Sequence, residues 1–273
     1  MRELANENNP EDDARNLLEA LRDIPNDIEK LYKLGEVYLS IKQINEAEKV
    51  FTQCIQLDNK HHHAFGKLGI VYLLKGKPKK AIKYLKKCLE IEPSYYEYWL
   101  SLGSAYLLMN KAKEAIEALE HSLAIKSDNR DTLVALARVY SNTESWEESL
   151  KIISEADTLF PNDYEIHKVK AWSLMKLGRT KELEEIYRAM WKLDPEDDTM
   201  PMYLGQLAMR KGKIDEGLAY YRKAVEINPE SFLGWKVLAD ALGKLGMDDE
   251  AREAHNKFKE IEDNLRKSGP RIF

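Results

Sequence analysis

Little in this sequence marks a secreted, membrane-spanning or nucleic-acid-binding protein, and each shortage excludes something. Two cysteines, Cys54 and Cys88, are too few for the disulfide framework that staples small secreted domains. No apolar run approaches the roughly 20 residues that span a bilayer, so no membrane insertion is expected. Residues 1–13 lack the apolar core of a secretory signal, and they are acidic where a mitochondrial presequence is Arg-rich, so the expected location is cytoplasmic. Basic residues are in deficit: 42 Lys and Arg against 47 Asp and Glu leave a net charge of -5, the wrong sign for displacing counterions from phosphates. No nucleic-acid partner is expected. The phosphate-cradling Gly loop, H-E-x-x-H, paired C-x-x-C and nucleophile-elbow sequences are missing as well, so the chain is not expected to be an enzyme or to need a cofactor.

What is present is apolar and periodic. Hydrophobic residues make up 44% and charged residues 33%, enough for a buried interior under a well-solvated exterior. Small residues return every 34 positions, at Gly35, Gly69, Gly103, Ala137, Ala171, Gly205 and Ala239, without an insertion or deletion. Tyr38, Tyr72, Tyr106 and Tyr140 keep the same step. Around Gly103 the residues Trp99, Leu102, Tyr106 and Ala115 spell W-x2-L-G-x2-Y and then an Ala, followed elsewhere by A-x3-large and a closing Pro such as Pro93. Apolar spacings of three and four predict two helices per period, here called A and B, with the small residue letting them approach closely. Cys54 and Cys88 share one slot of the period, filled elsewhere by Ser122, Ala156 and Ala224, and read as buried packing thiols.

By these residues the chain resembles the tetratricopeptide repeat family along its length. The resemblance implies an all-α fold: a right-handed α-solenoid of seven 34-residue helix-turn-helix repeats with an N-terminal half-repeat and a C-terminal capping helix. The expected boundaries are a flexible tail at 1–11, a half-repeat helix at 12–27, repeats at 28–61, 62–95, 96–129, 130–163, 164–197, 198–231 and 232–265, and a tail at 266–273. Leu17, Leu18, Ala20 and Leu21 form the expected apolar face of the half-repeat helix. The repeat at 164–197 is divergent, because His167 and Lys170 stand where apolar residues are expected, so its first helix is expected to pack less tightly. Pro201 is tolerable only within the first turn of its helix.

The same resemblance locates function. In the family, helix A faces a concave groove that receives protein ligands, and carrying its groove positions over names Tyr32, Ile70, Leu74, Glu97, Leu108, Asp131, Arg138, Trp172, Met175, Met202, Tyr203, Gln206 and Met209. Some of this apolar surface is consumed by packing between neighbouring A helices. Trp172 and Tyr203 are of the type that anchors partners, and Met beside them gives adaptable contacts. Glu29, Glu97, Asp131 and Glu165 recur at one position, where they either favour a basic peptide or answer the helix N-termini. Members that clamp a partner's C-terminal carboxylate carry Lys, Asn and Arg at set positions. Here those positions hold Tyr32, Glu36, Lys67, Glu97 and Ser101, so no carboxylate clamp is expected.

The expected function is a non-enzymatic protein–protein interaction scaffold, adaptor or assembly factor that binds a helical or extended peptide segment with apolar anchors. The alternative is a structural scaffold that self-associates through its terminal helices. Two further clusters have competing readings. His61, His62 and His63 are either metal ligands or residues of an exposed inter-repeat turn. The block Lys75, Lys77, Lys79, Lys80, Lys83, Lys86 and Lys87 is either a solvated outer face or a docking surface for acidic partners.

Overall fold

A computed structural model describes residues 9–267, and every regular element in that range is α-helical. The parts of the expected tails at 1–8 and 268–273 lie outside the described residues. Helix α1 (Pro10–Asp23) comes first. It is followed by the pairs α2 (Ile28–Ser40) and α3 (Ile44–Leu57), α4 (His62–Leu74) and α5 (Pro78–Ile91), α6 (Tyr96–Leu108) and α7 (Ala112–Ile125), and α8 (Arg130–Asn142) and α9 (Trp146–Leu159). After these come α10 (Tyr164–Lys176) and α11 (Thr180–Leu193), α12 (Thr199–Arg210) and α13 (Ile214–Ile227), and α14 (Phe232–Lys244) and α15 (Asp248–Lys267).

Local chemistry sets these ends. Helix α1 starts at Pro10, two residues before the expected boundary, because Asn9 accepts a 3.3 Å bond from the Glu11 amide and Pro10 occupies the first turn, where its missing N–H is not needed. Each A helix ends in one left-handed residue. Gly76, Gly178, Gly212 and Gly246 supply it at φ of 65° to 74°, and Lys42, Asn110 and Glu144 do so at 61°, 55° and 61°. The next amide reaches back to close the helix, as in Lys77 N–H to Tyr72 C=O at 2.8 Å and Gln43 N–H to Tyr38 C=O at 2.8 Å. The following helix then starts after a three-residue turn and runs antiparallel to the first.

The chain divides into two compact units, Met1–Ile152 and Ile153–Phe273. In the first, the small residues of α2, α4 and α6 each lie under a large residue of the following helix. A Cβ added at Gly35, Gly69 or Gly103 would come within 2.5 Å of Phe51, 2.4 Å of Leu85 or 2.6 Å of Leu119. Cys54 and Cys88 are fully buried free thiols, and burial pushes them up to about 11 and about 12. Trp99 donates to the Pro93 carbonyl at 2.8 Å and stacks on His121 at 4.4 Å, so the Trp of the motif ties its helix to the preceding turn. In α1, Ala14 and Leu21 are the buried residues, whereas Leu18 is exposed; this corrects its placement on the apolar face, since Leu18 lies about 50° round the helix from the Ala14–Leu21 line, at the edge of that face.

In the second unit Leu218 and Tyr221 of α13 pack with Leu238 and Leu242 of α14 and Ala254 of α15, and Trp235 donates to the Pro229 carbonyl at 2.8 Å as Trp99 does to Pro93. The two unusual residues of α10 converge on one carboxylate. His167 Nε2 lies 3.0 Å from Asp157 Oδ1, and Lys170 donates to Asp157 Oδ2 at 2.6 Å. Pro201 falls in the first turn of α12, where it is buried.

Candidate functional site

Trp172 and Met175 stand on α10 one turn apart, on the side of the helix opposite the buried Ile166, Ser173 and Leu174. Both therefore face outward: Trp172 is 48% and Met175 40% exposed. Tyr203 on α12 is 43% exposed, stacked on Tyr187 of α11 at 5.2 Å and 22°. Between these side chains opens a pocket of about 320 Å³, whose floor is Ala171, Tyr187, Met190 and Met200 and whose rim includes Tyr164 and Lys168. The rim is fixed by polar contacts. Tyr164 donates to Asp197 Oδ2 at 2.8 Å, and the Thr199 amide donates to Asp197 Oδ1 at 2.8 Å, so the start of α12 is held to the start of α10. Lys168 reaches Glu165 at 3.3 Å, and the Lys176 ammonium sits 4.8 Å from the centre of the Trp172 ring.

Burial pushes the Tyr187 hydroxyl up, with the neighbouring Tyr203 adding to it, and burial together with the Asp197 contact pushes Tyr164 up to about 12. Neither phenol is prepared to give up a proton near neutrality. Aromatic walls and three Met side chains make the lining apolar, and the Lys168 ammonium and the Tyr164 phenol stand at the rim.

The structure thus brings together Trp172, Met175 and Tyr203 of the expected set and separates the others. Met202 is buried at 6% exposure, a correction to its expected place on the partner-facing surface: one residue before the outward Tyr203, it turns inward. Met209 is half-buried, packed on the cluster of Leu218, Tyr221 and Leu238 and against Gly217, away from Trp172. Gln206 is exposed on α12, one turn beyond Tyr203. Sequence reasoning missed Tyr164, Tyr187, Met190 and Met200. The available signal was the large Tyr187 and Met190 in slots where other B helices carry Leu85 and Cys88.

The remaining expected residues are spread over the first unit. Tyr32 is half-buried, stacks on His61 at 5.3 Å and donates to Glu36 at 3.3 Å. Glu36 also takes Lys67 at 2.7 Å. Ile70 packs against the core, whereas Leu74 and Leu108, the last residues of α4 and α6, are 61% and 63% exposed. Glu97, Asp131 and Arg138 are exposed, and Asp131 meets Arg130 at 2.6 Å.

The three histidines are half-buried rather than in an exposed turn, because the rings of Tyr32 on α2, Tyr95 just before α6 and Tyr98 on α6 close on them. His61 Nδ1 caps α4 by accepting from the Ala64 amide at 3.1 Å, and His63 Nδ1 shares a 3.1 Å bond with the Tyr98 hydroxyl. Among the described residues no three His, Cys, Asp or Glu side chains are grouped to hold a metal ion. Several lysines of the basic block have intramolecular roles: Lys75 binds Asn45 at 2.7 Å and also Glu48, Lys80 lies 5.1 Å over Tyr72, and Lys87 meets Glu90 at 3.4 Å. No described helix is long and apolar enough to cross a membrane.

Comparison with known proteins adds the family. The family model described as tetratricopeptide repeat matches residues 33–260. Human protein O-mannosyl-transferase TMTC1 is 30% identical over 114 residues, which are 40% of this chain and 12% of that protein's length. Among solved structures, the APC/C hetero-tetramer Cut9–Hcn1 is similar with a TM-score of 0.61 at 16% identity, covering 85% of this chain and 46% of that one. Pseudomonas aeruginosa pilF is similar with a TM-score of 0.58 at 18% identity, covering 77% and 92%. At these identities the structural matches speak to fold.

Proposed function

Because this chain belongs to the tetratricopeptide repeat family, whose members generally mediate contacts between proteins, we propose that it is a non-enzymatic interaction module that holds a partner's apolar side chain in the pocket between α10, α11 and α12. The observation that carries this reading is the joint exposure of Trp172, Met175 and Tyr203 around one cavity. Large aromatic side chains cost the folded chain less when left exposed if a partner covers them, and their few rotatable bonds make them efficient anchors. The cavity suits a Leu, Met or aromatic residue projecting from a helical or extended segment. We place the scaffold or adaptor role at this pocket and give the exposed Leu74 and Leu108 no part in it.

The test is selection of a displayed random-peptide library on the immobilised protein, followed by affinity measurement of the selected peptides. The expected result is a shared apolar anchor in the selected sequences and binding at least about tenfold weaker to Trp172→Ala/Tyr203→Ala, the loss typical of removing anchor aromatics. Equal affinity for wild type and the double variant would remove this pocket from the function.

A further inference from the structure

The period that builds the fold also exposes an unfilled place in it, at the other end of the chain from the Trp172 pocket. Leu17 of α1 lies 34 residues before Phe51, and further steps reach Leu85 and Leu119. Those three are fully buried, each seated on the small residue of its own A helix. Leu17 is only half-buried, and among the described residues no A helix precedes α1. The same comparison on α2 singles out Val37. Its equivalents Val71, Ala105 and Val139 are fully buried, whereas Val37 is half-buried. Leu17 and Val37 line one groove of about 470 Å³ between α1 and α2, with Asp13, Asn16, Lys33 and Glu36 around it. Two independent slots, one on each helix, are covered in the three periods that follow and open here, and they face the same space.

The chain's own interfaces specify what fits. A-type helices in this protein are 12 or 13 residues long and antiparallel to their B helix, with a Gly or Ala under the large residue that Leu17 represents. One position departs from the pattern. Asp13 stands where Ala47, Ala81 and Ala115 are fully buried. In α12 and α13 the A-helix residue over this slot is four positions after the small residue: Met209, four after Gly205, lies against Gly217. A carboxylate there calls for a cation on the occupant at that spacing.

We propose that the α1–α2 groove is a docking site for one amphipathic helix of a partner protein, about three and a half turns long. The helix carries a small residue opposite Leu17, a Lys or Arg four residues later opposite Asp13, and an apolar edge against Val37. Docking covers the two slots that stand open among the described residues. It is separate from the peptide pocket of the second unit and stands whether or not that pocket is used.

The probe is a hydrocarbon-stapled 13-residue peptide with the sequence of Ile28–Ser40 and the change Leu39→Lys, which places Lys four residues after the Gly35 equivalent. Titration into the full chain is followed by fluorescence anisotropy. Saturable binding is expected, weakened at least about tenfold by Leu17→Arg in the protein or Gly35→Leu in the peptide, and unchanged by Trp172→Ala/Tyr203→Ala. Asp13→Lys is expected to lose the Lys peptide and gain its Leu39→Glu counterpart, a reversal that a merely unfolded variant cannot give. Thermal melts establish that each variant is folded. No binding by folded wild type, or binding indifferent to both Leu17→Arg and the charge reversal, overturns the proposal. So does a rise in affinity of about tenfold on deleting residues 1–8, which would make those residues the occupant. Wild-type self-association that Leu17→Arg abolishes would make a second copy the occupant and overturn it as well.

Discussion

His63 sits edge-on to Tyr95 at 4.6 Å and bonds to the Tyr98 hydroxyl at 3.1 Å, in a space narrowed by His61 and His62. Burial first, then the neighbouring His62, His61 and Lys67, holds its imidazole below the ordinary value, against a smaller opposing pull from Glu36. The unfolded chain therefore takes the proton more readily than the folded one. His63's contribution is complete above the ordinary imidazole value of about 6.5 and is lost as pH falls through that value towards the folded one. Urea midpoints at about pH 7.5 and about pH 5.5 should show His63→Asn losing less stability on acidification than wild type. An identical drop in both proteins would assign the acid sensitivity elsewhere. Individual residues also mark the limit of sequence reading. The exposure of Trp172 and Tyr203 was legible because neither stands in one of the repeat's core slots. Met202 was not, since its neighbours on adjoining helices decide whether that position is covered.

The turns between paired helices repeat one device, a left-handed residue followed by an amide that reaches back to the helix. Glycine supplies it at Gly76 and Gly212, and the bulkier Lys42 and Glu144 are held there at a cost of about 1 kcal/mol each. Lys42→Gly and Glu144→Gly should each raise stability by up to about 1 kcal/mol, or a few degrees of melting temperature, by relieving that strain. A fall would mean that side-chain contacts of Lys42 and Glu144 outweigh backbone strain. The glycines of these turns were legible from their spacing, whereas Lys42 and Glu144 were not, because nothing in their chemistry announces a left-handed residue. Helix α10 makes a related point. His167 and Lys170 contradict the apolar pattern, and their solution, the shared carboxylate of Asp157, lies on the preceding helix ten and thirteen residues away. Asp157→Ala should cost about 3 kcal/mol by leaving a buried imidazole and an ammonium without their acceptor, measurable as a lowered urea midpoint. A loss below about 0.5 kcal/mol would show that solvent replaces the carboxylate.

Across the whole chain, the 34-residue step made the all-α fold and the family legible, because identical slots repeat without insertion and each must hold a residue of the right size. The step is silent about partners. Slots that build the stack are constrained by the next helix, and slots that bind are free to vary, so the pocket at Trp172 emerged only when α10, α11 and α12 were placed against one another. The same repetition, read for burial instead of residue type, singled out the open groove beside Leu17. The central claim, that the α10–α12 pocket receives a partner's apolar side chain, is tested most directly by methyl NMR on methionine-labelled protein titrated with a library-selected peptide. The account predicts saturable shifts of the Met175 and Met200 methyl signals, with Met209 and Met247 unmoved. Binding that leaves Met175 and Met200 in place while Met209 or Met247 shifts would contradict it.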